Sequence, residues 1–195
     1  MKNAELVLRE ILYQVLEKNN RTLTQSALSK KLHLSLSDVH RTVQKLRALG
    51  AVGVRARNFQ VSDPKKILYY WASTRNINKD IVFATRIEEP VRDIEKRASD
   101  TAIFSAYTAY KLRWNDVPAD YSEVYLYGDE DEMKKRYPLR TGVPNVYILK
   151  KDKTLEQYGK KTTLANTFVD LWNIKEWYAR EFVQALEKHI NGILE

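Results

Sequence analysis

Between Ser37 and Lys45 the chain carries Ser37, His40, Arg41, Gln44 and Lys45, side chains that donate or accept hydrogen bonds. Their spacing of three and four places them, with Arg47, on one face of a helix. A hydroxyl, an imidazole, a guanidinium, an amide and an ammonium are the groups that pair with base edges and phosphate oxygens of a nucleic acid duplex. A solvated surface helix has a similar face, so the surrounding chain must decide between the two readings.

The element that would present this face runs from Ser35 to Gly50. Ser35 is a good N-cap, and Asp38 three residues later is placed to complete a capping box. Gly50 can take the left-handed conformation that closes a helix. Leu36, Val39, Val43, Leu46 and Leu49 form the apolar stripe opposite the polar face. Upstream, residues 4–18 read as a helix ended by Asn19-Asn20. Leu23 reads as a short bridging segment. Thr24 caps a short helix with Ala27, Leu28 and Leu32 inward and Lys30 and Lys31 outward, and His33-Leu34-Ser35 is the turn. This is the helix-turn-helix order. After Gly50, Val52, Val54, Phe59 and Val61 alternate with Gly53, Arg55, Gln60 and Ser62, as in two strands joined by a tight turn at Arg57-Asn58. A basic hairpin here is a wing, with Arg55, Arg57 and Asn58 at its tip. Pro64 opens a further helix, and the polar run Arg75 to Asp80 reads as a linker.

The charge distribution favours the nucleic-acid reading. The chain has 195 residues and a formal net charge of +8. Residues 1–75 hold 14 Lys and Arg against 5 Asp and Glu, while residues 76–195 hold 19 against 20. A basic module joined to a neutral one suggests that the basic part meets a polyanion. There are no cysteines, which excludes disulfides, thiolate metal sites and thiol nucleophiles. No stretch reaches the roughly 20 apolar residues of a membrane span and none has signal-peptide form, so a cytoplasmic protein with no membrane contact is expected.

The second half alternates strand and helix patterns. Residues 81–87, 122–128 and 143–151 read as strands. Residues 88–97, 101–113 and 129–137 read as helices, the second rich in small residues. Residues 162–174 suggest a short strand and turn, and Ile174 to Ile193 a last helix with Trp177, Phe182, Val183, Leu186 and Ile190 inward. The expected fold class is α+β: a winged helix-turn-helix DNA-binding domain at 1–75, then a small α/β interaction or sensing domain at 76–195.

The run Thr167 to Leu186, TFVDLWNIKEWYAREFVQAL, with its Asp170-Leu171-Trp172 block and the small-residue helix at 101–113, resembles the AbiEi-type winged-helix regulators. These are the antitoxins of type IV toxin–antitoxin systems. The resemblance implies a C-terminal domain of degenerate nucleotidyltransferase-like architecture. It also implies an autorepressor that binds inverted repeats in its own promoter, a homodimer, and a cognate toxin or another protein as partner.

The residues argue against catalysis by the second half. Nucleotidyl transfer requires a Gly-Ser turn and two carboxylates two apart on a strand to hold Mg²⁺. The candidate strand offers Glu123, Tyr125 and Tyr127. The acids Asp129 to Glu132 suit the start of the next helix. His33, His40 and His189 have neither triad nor metal-ligand spacing. Asp170 reads as a buried structural acid held by backbone N–H groups. No enzyme activity, cofactor or metal is therefore expected.

The leading expectation is a sequence-specific regulator of double-stranded DNA. Ser35, Ser37, His40, Arg41, Gln44 and Lys45 belong to the groove helix. Thr24, Gln25, Lys30 and Lys31 would touch the backbone, and Arg55, Arg57 and Asn58 would act from the wing. A winged-helix protein–protein adaptor is the alternative, and a degenerate nucleotidyltransferase acting on RNA is a weaker one.

Overall fold

The computed structural model describes residues 1–98 and 100–195. They form two compact units, Met1–Thr74 with Ile193–Glu195, and Arg75–Gly192.

The first unit runs α1 (Asn3–Lys18), β1 (Thr22–Leu23), α2 (Gln25–Leu32), α3 (Leu36–Ala48), β2 (Val52–Val54), β3 (Phe59–Val61) and α4 (Pro64–Thr74). Val7, Ile11, Leu12 and Val15 of α1 are buried with Leu28 and Leu32 of α2 and with Ile67, Leu68 and Trp71 of α4. Asn19 closes α1 in the left-handed region, and His33 turns the chain between α2 and α3 in the same conformation. Leu23, expected as a bridging segment, is a strand residue: β1 pairs antiparallel with β3, giving the sheet order β1-β3-β2. The Ala27 side chain is exposed rather than inward. Leu28 and Leu32, one turn apart, already fill the inner face of this short helix.

α3 forms where both of its ends are chemically marked. Ser35 accepts from the Asp38 N–H at 3.0 Å. The Asp38 carboxylate accepts from the Ser35 hydroxyl at 2.9 Å, instead of from the Ser35 backbone as a capping box would require. At the other end the Gly50 N–H reaches Arg47 O and the Ala51 N–H reaches Leu46 O, both at 2.9 Å, with Gly50 at φ +67°. This is a Schellman closure. Val39, Val43 and Leu46 are fully buried, but Leu36 and Leu49 at the ends of the stripe are 55% and 42% exposed. Thr42 is buried instead, its hydroxyl satisfied by Asp38 O at 3.0 Å. In the wing, Val54 pairs with Phe59, and the Arg55 N–H donates to Asn58 O at 2.8 Å. The tight turn is therefore Ala56-Arg57, one residue earlier than the sequence suggests.

The second unit opens with a 3-10 turn (Ile77–Asp80), then β4 (Ile81–Thr85), α5 (Val91–Lys96), β5 (Ile103–Phe104), α6 (Ala106–Trp114), β6 (Val124–Gly128), α7 (Glu130–Arg136) and β7 (Val146–Lys150). A second 3-10 turn (Leu155–Tyr158), α8 (Leu164–Trp172) and α9 (Ala179–Leu194) follow. The sheet order is β4-β7-β6-β5. β6 and β7 are parallel, while β4 and β5 pair antiparallel at the two edges. Leu126 and Ile148 share one core with Ile94 of α5 and Met133 of α7. On β6 the intervening Tyr125 and Tyr127 face the other side. There Tyr107 of α6 lies 6.2 Å from the Tyr125 ring, and Asp170 of α8 bonds Tyr127.

Four expectations for this half change. Residues 101–113 are not one helix, because β5 comes first and α6 starts at Ala106. Residues 162–174 hold α8, not a strand and turn. The last helix begins at Ala179, leaving Trp177 before it and 77% exposed. The run from Arg75 to Asp80 is no loose linker, since Arg75 and Ile77 are buried. Among the described residues no helix is long and apolar enough to cross a membrane.

Candidate nucleic-acid interface

α3 exposes Ser37, His40, Arg41, Lys45 and Arg47 on its outer face, with Gln44 half-buried. The helix is held from behind by Val39, Val43 and Leu46, so this face is fixed by the core rather than chosen by the side chains. His40 Nδ1 lies 3.1 Å from Gln25 Oε1, which joins the first turn of α2 to the middle of α3. Lys30 is exposed on α2. The Thr24 hydroxyl accepts from the Ala27 N–H at 3.1 Å, so it acts first as a cap. Ser35 has the same primary task at the start of α3.

One acid stands on this surface. Asp38 accepts from Asn3 Nδ2 at 3.3 Å and pairs with Arg41 at 3.8 Å. Arg41 is 68% exposed, so that pairing is loose and the guanidinium stays open to a stronger anion. Asn3 and Arg21 are two neighbours the sequence did not indicate. Arg21 lines a groove of about 410 Å³ along the wing with Gly53, Val54, Arg55, Gln60, Val61 and Ser62. Its place depends on the two-residue strand β1, which has too few residues to show a period.

The remaining expected contacts separate. Arg55 and Arg57 are exposed on the hairpin, Arg55 donating to Gln60 Oε1 at 3.2 Å. Asn58 is half-buried, and its Oδ1 is buried with no hydrogen-bond partner among the described residues, so this side chain does not stand at the tip. The Lys31 ammonium lies 2.7 Å from Glu10 Oε1, and Glu10 is only 1% exposed. The Lys31 side chain is 37% exposed, so the pair is only partly desolvated, but it ties the ammonium to α1. Lys31 thus serves the fold before any ligand.

In the second unit, Asp170 is fully buried. Burial pushes its carboxyl up, against the opposing pull of Arg75 and of donated hydrogen bonds. Those donors are side chains, not the backbone N–H groups expected. Arg75 Nε donates at 3.2 Å, Ser105 Oγ at 2.8 Å, Tyr127 OH at 2.7 Å and Asn166 Nδ2 at 2.8 Å. A solvent-borne substrate cannot reach an acid enclosed in this way. Asp129 caps α7, accepting from the Glu132 N–H at 3.0 Å. Among the described residues no three His, Asp or Glu gather as a metal site.

The first unit combines a helical pair joined by a tight turn, a capped outer helix and a two-stranded basic wing. That arrangement defines a winged helix-turn-helix DNA-binding domain. Residues 7–52 match the family described as winged helix-turn-helix DNA-binding, a stretch that covers most of α1 and all of α2 and α3, and ends as the wing begins. Comparison with curated proteins and with solved structures returns no significant match.

Proposed function

We propose that the protein is a sequence-specific transcriptional regulator, an autorepressor of the antitoxin type. It would act inside the cell as a homodimer on an inverted repeat, with α3 in the major groove and the wing on the flanking backbone. The observation that carries this reading is the coincidence of one exposed face, bearing Ser37, His40, Arg41 and Lys45, with a basic wing. Both lie in the half of the chain that holds nearly all the excess positive charge. The second unit would contribute no catalysis. It would be an interaction or sensing module, and its nucleotidyltransferase-like architecture and any toxin partner belong to the same proposal.

The test is a binding titration of the full chain against its own upstream DNA and against random duplex, at two salt concentrations. Specific recognition predicts tighter binding to the upstream DNA by about a thousandfold or more. Arg41→Ala and Lys45→Ala should each weaken binding and reduce the salt slope by about one. Equal affinity for both duplexes, or an unchanged slope in both variants, would sink this docking.

A further inference from the structure

The turn between α8 and α9 opens a groove of about 610 Å³ on the second unit. Leu171 and Val183 floor it, and two indoles line it. Trp172, the last residue of α8, is 47% exposed although its ring stacks on Phe168 at 5.8 Å. Trp177 is still more open and meets the Tyr178 ring edge-on at 5.5 Å. An indole is the side chain whose burial contributes most at a protein interface, and two in one open groove mark a surface that a partner covers. Four charges belong to the same groove: Lys175, Glu176, Arg180 and Glu181. Among the described residues none of the four enters an ion pair or a side-chain hydrogen bond.

Unpaired charges of both signs, in equal number around open indoles, select among partners. A nucleic acid strand would meet two carboxylates as well as two cations. A uniformly acidic or basic protein would be repelled by half of the rim. A second copy of the same groove, turned about a two-fold axis, brings each sign to the other, because residue i then faces residue j and j faces i. The charge balance points the same way. Residues 76–195 hold 19 Lys and Arg against 20 Asp and Glu, so two second units approach without the repulsion that acts between two basic first units. We propose that this groove is the surface through which two copies of the chain associate, with Trp172 and Trp177 buried in it and the four charges paired across it. Such a dimer supplies the two copies that an inverted repeat calls for, and in that use it rests on the regulator reading.

The experiment is sedimentation velocity on the full chain without DNA, which should show a dimer with a Kd below about 100 μM. Trp177→Ala should weaken that dimer about thirtyfold or more, the effect of an indole central to an interface. Two double variants, each checked by circular dichroism for an intact fold, test the charges. Lys175→Glu with Arg180→Glu makes the rim wholly acidic, and Glu176→Lys with Glu181→Lys makes it wholly basic. Each alone should be monomeric, and an equimolar mixture of the two should form a heterodimer. The surface is overturned by a wild-type monomer, by a dimer indifferent to Trp177→Ala, or by double variants that dimerise alone or stay apart when mixed. A monomer whose indole fluorescence saturates with a random single-stranded oligonucleotide overturns it as well, and gives the groove to nucleic acid. A dimer broken and restored in this way upholds the surface even if DNA binding proves unspecific. A monomer overturns it even if DNA binding is specific, so the two readings fail separately.

Discussion

Arg75 and Asp170 are both buried, and each supplies the opposite charge that the other's burial calls for. The guanidinium donates to Asp170, to Asp80 and, at 2.9 Å, to the Tyr127 hydroxyl, which in turn donates to Asp170. A buried ion pair of this kind need not add net stability, but breaking it leaves a charge uncompensated. Burial alone would raise the Asp80 carboxyl, yet the neighbouring Arg75 guanidinium holds it below the usual range. Arg75→Leu should therefore destabilise the protein by about 3–5 kcal/mol in urea unfolding. Asp170→Asn, which leaves the guanidinium with Asp80 as its remaining carboxylate, should cost less than Arg75→Leu. A loss under about 1 kcal/mol for both, the range of an exposed pair, would show that these charges are solvated after all.

At the scale of elements, α3 separates stability from recognition. Its ends are local devices. Ser35→Ala should cost about 1 kcal/mol through the lost cap. Gly50→Ala should cost about 1 kcal/mol or slightly more through its positive φ alone, since the nearest atom to an added Cβ is Lys66 Nζ at 3.8 Å. Neither substitution should change the salt slope of DNA binding, whereas Arg41→Ala and Lys45→Ala should change the slope with little effect on the melting temperature. Thermal melts and salt titrations on the same four variants check both halves of that statement. The same locality explains what could be read in advance. The caps, stripe and outer face of α3 are set by residues within one segment, and so are the caps of α2 and the alternation in the wing. β5 has only two residues, and Ala106 opens α6 with φ +49°, a conformation that an alanine does not signal in sequence. α8 carries its polar residues Asn166, Thr167 and Asp170 at helical spacing, but that face is buried with the apolar one, so the helix has no solvated side of the usual kind. The Asp38 carboxylate bonds a hydroxyl instead of closing a capping box, because Ser35 Oγ is the donor it meets in that turn. Arg75 reads as linker because its partner lies 95 residues away in sequence. Of the interface, the outer face of α3 was legible, while the commitment of Lys31 to Glu10 and the inward Asn58 depended on tertiary neighbours.

The two halves of the chain differ in charge and also in how they should respond to pH. In the second unit the hydroxyls of Tyr107, Tyr110, Tyr121, Tyr125, Tyr127, Tyr137, Tyr147 and Tyr178, eight among the described residues, are raised above their ordinary value. The leading cause in each is burial, which penalises the phenolate. For an acid, a folded value above the unfolded one means that the folded state holds its proton longer. The resulting stability is complete below the unfolded value near pH 10 and is lost as pH climbs toward the folded one. With Tyr178 at about 12 and the more deeply buried hydroxyls higher still, unfolding should become favourable before these groups ionise in place. Absorbance at 295 nm, which follows phenolate, should then rise together with the loss of far-ultraviolet circular dichroism above about pH 10. If the phenolate signal of all eight were to appear while the dichroism stayed intact, the aromatic core would be open to solvent.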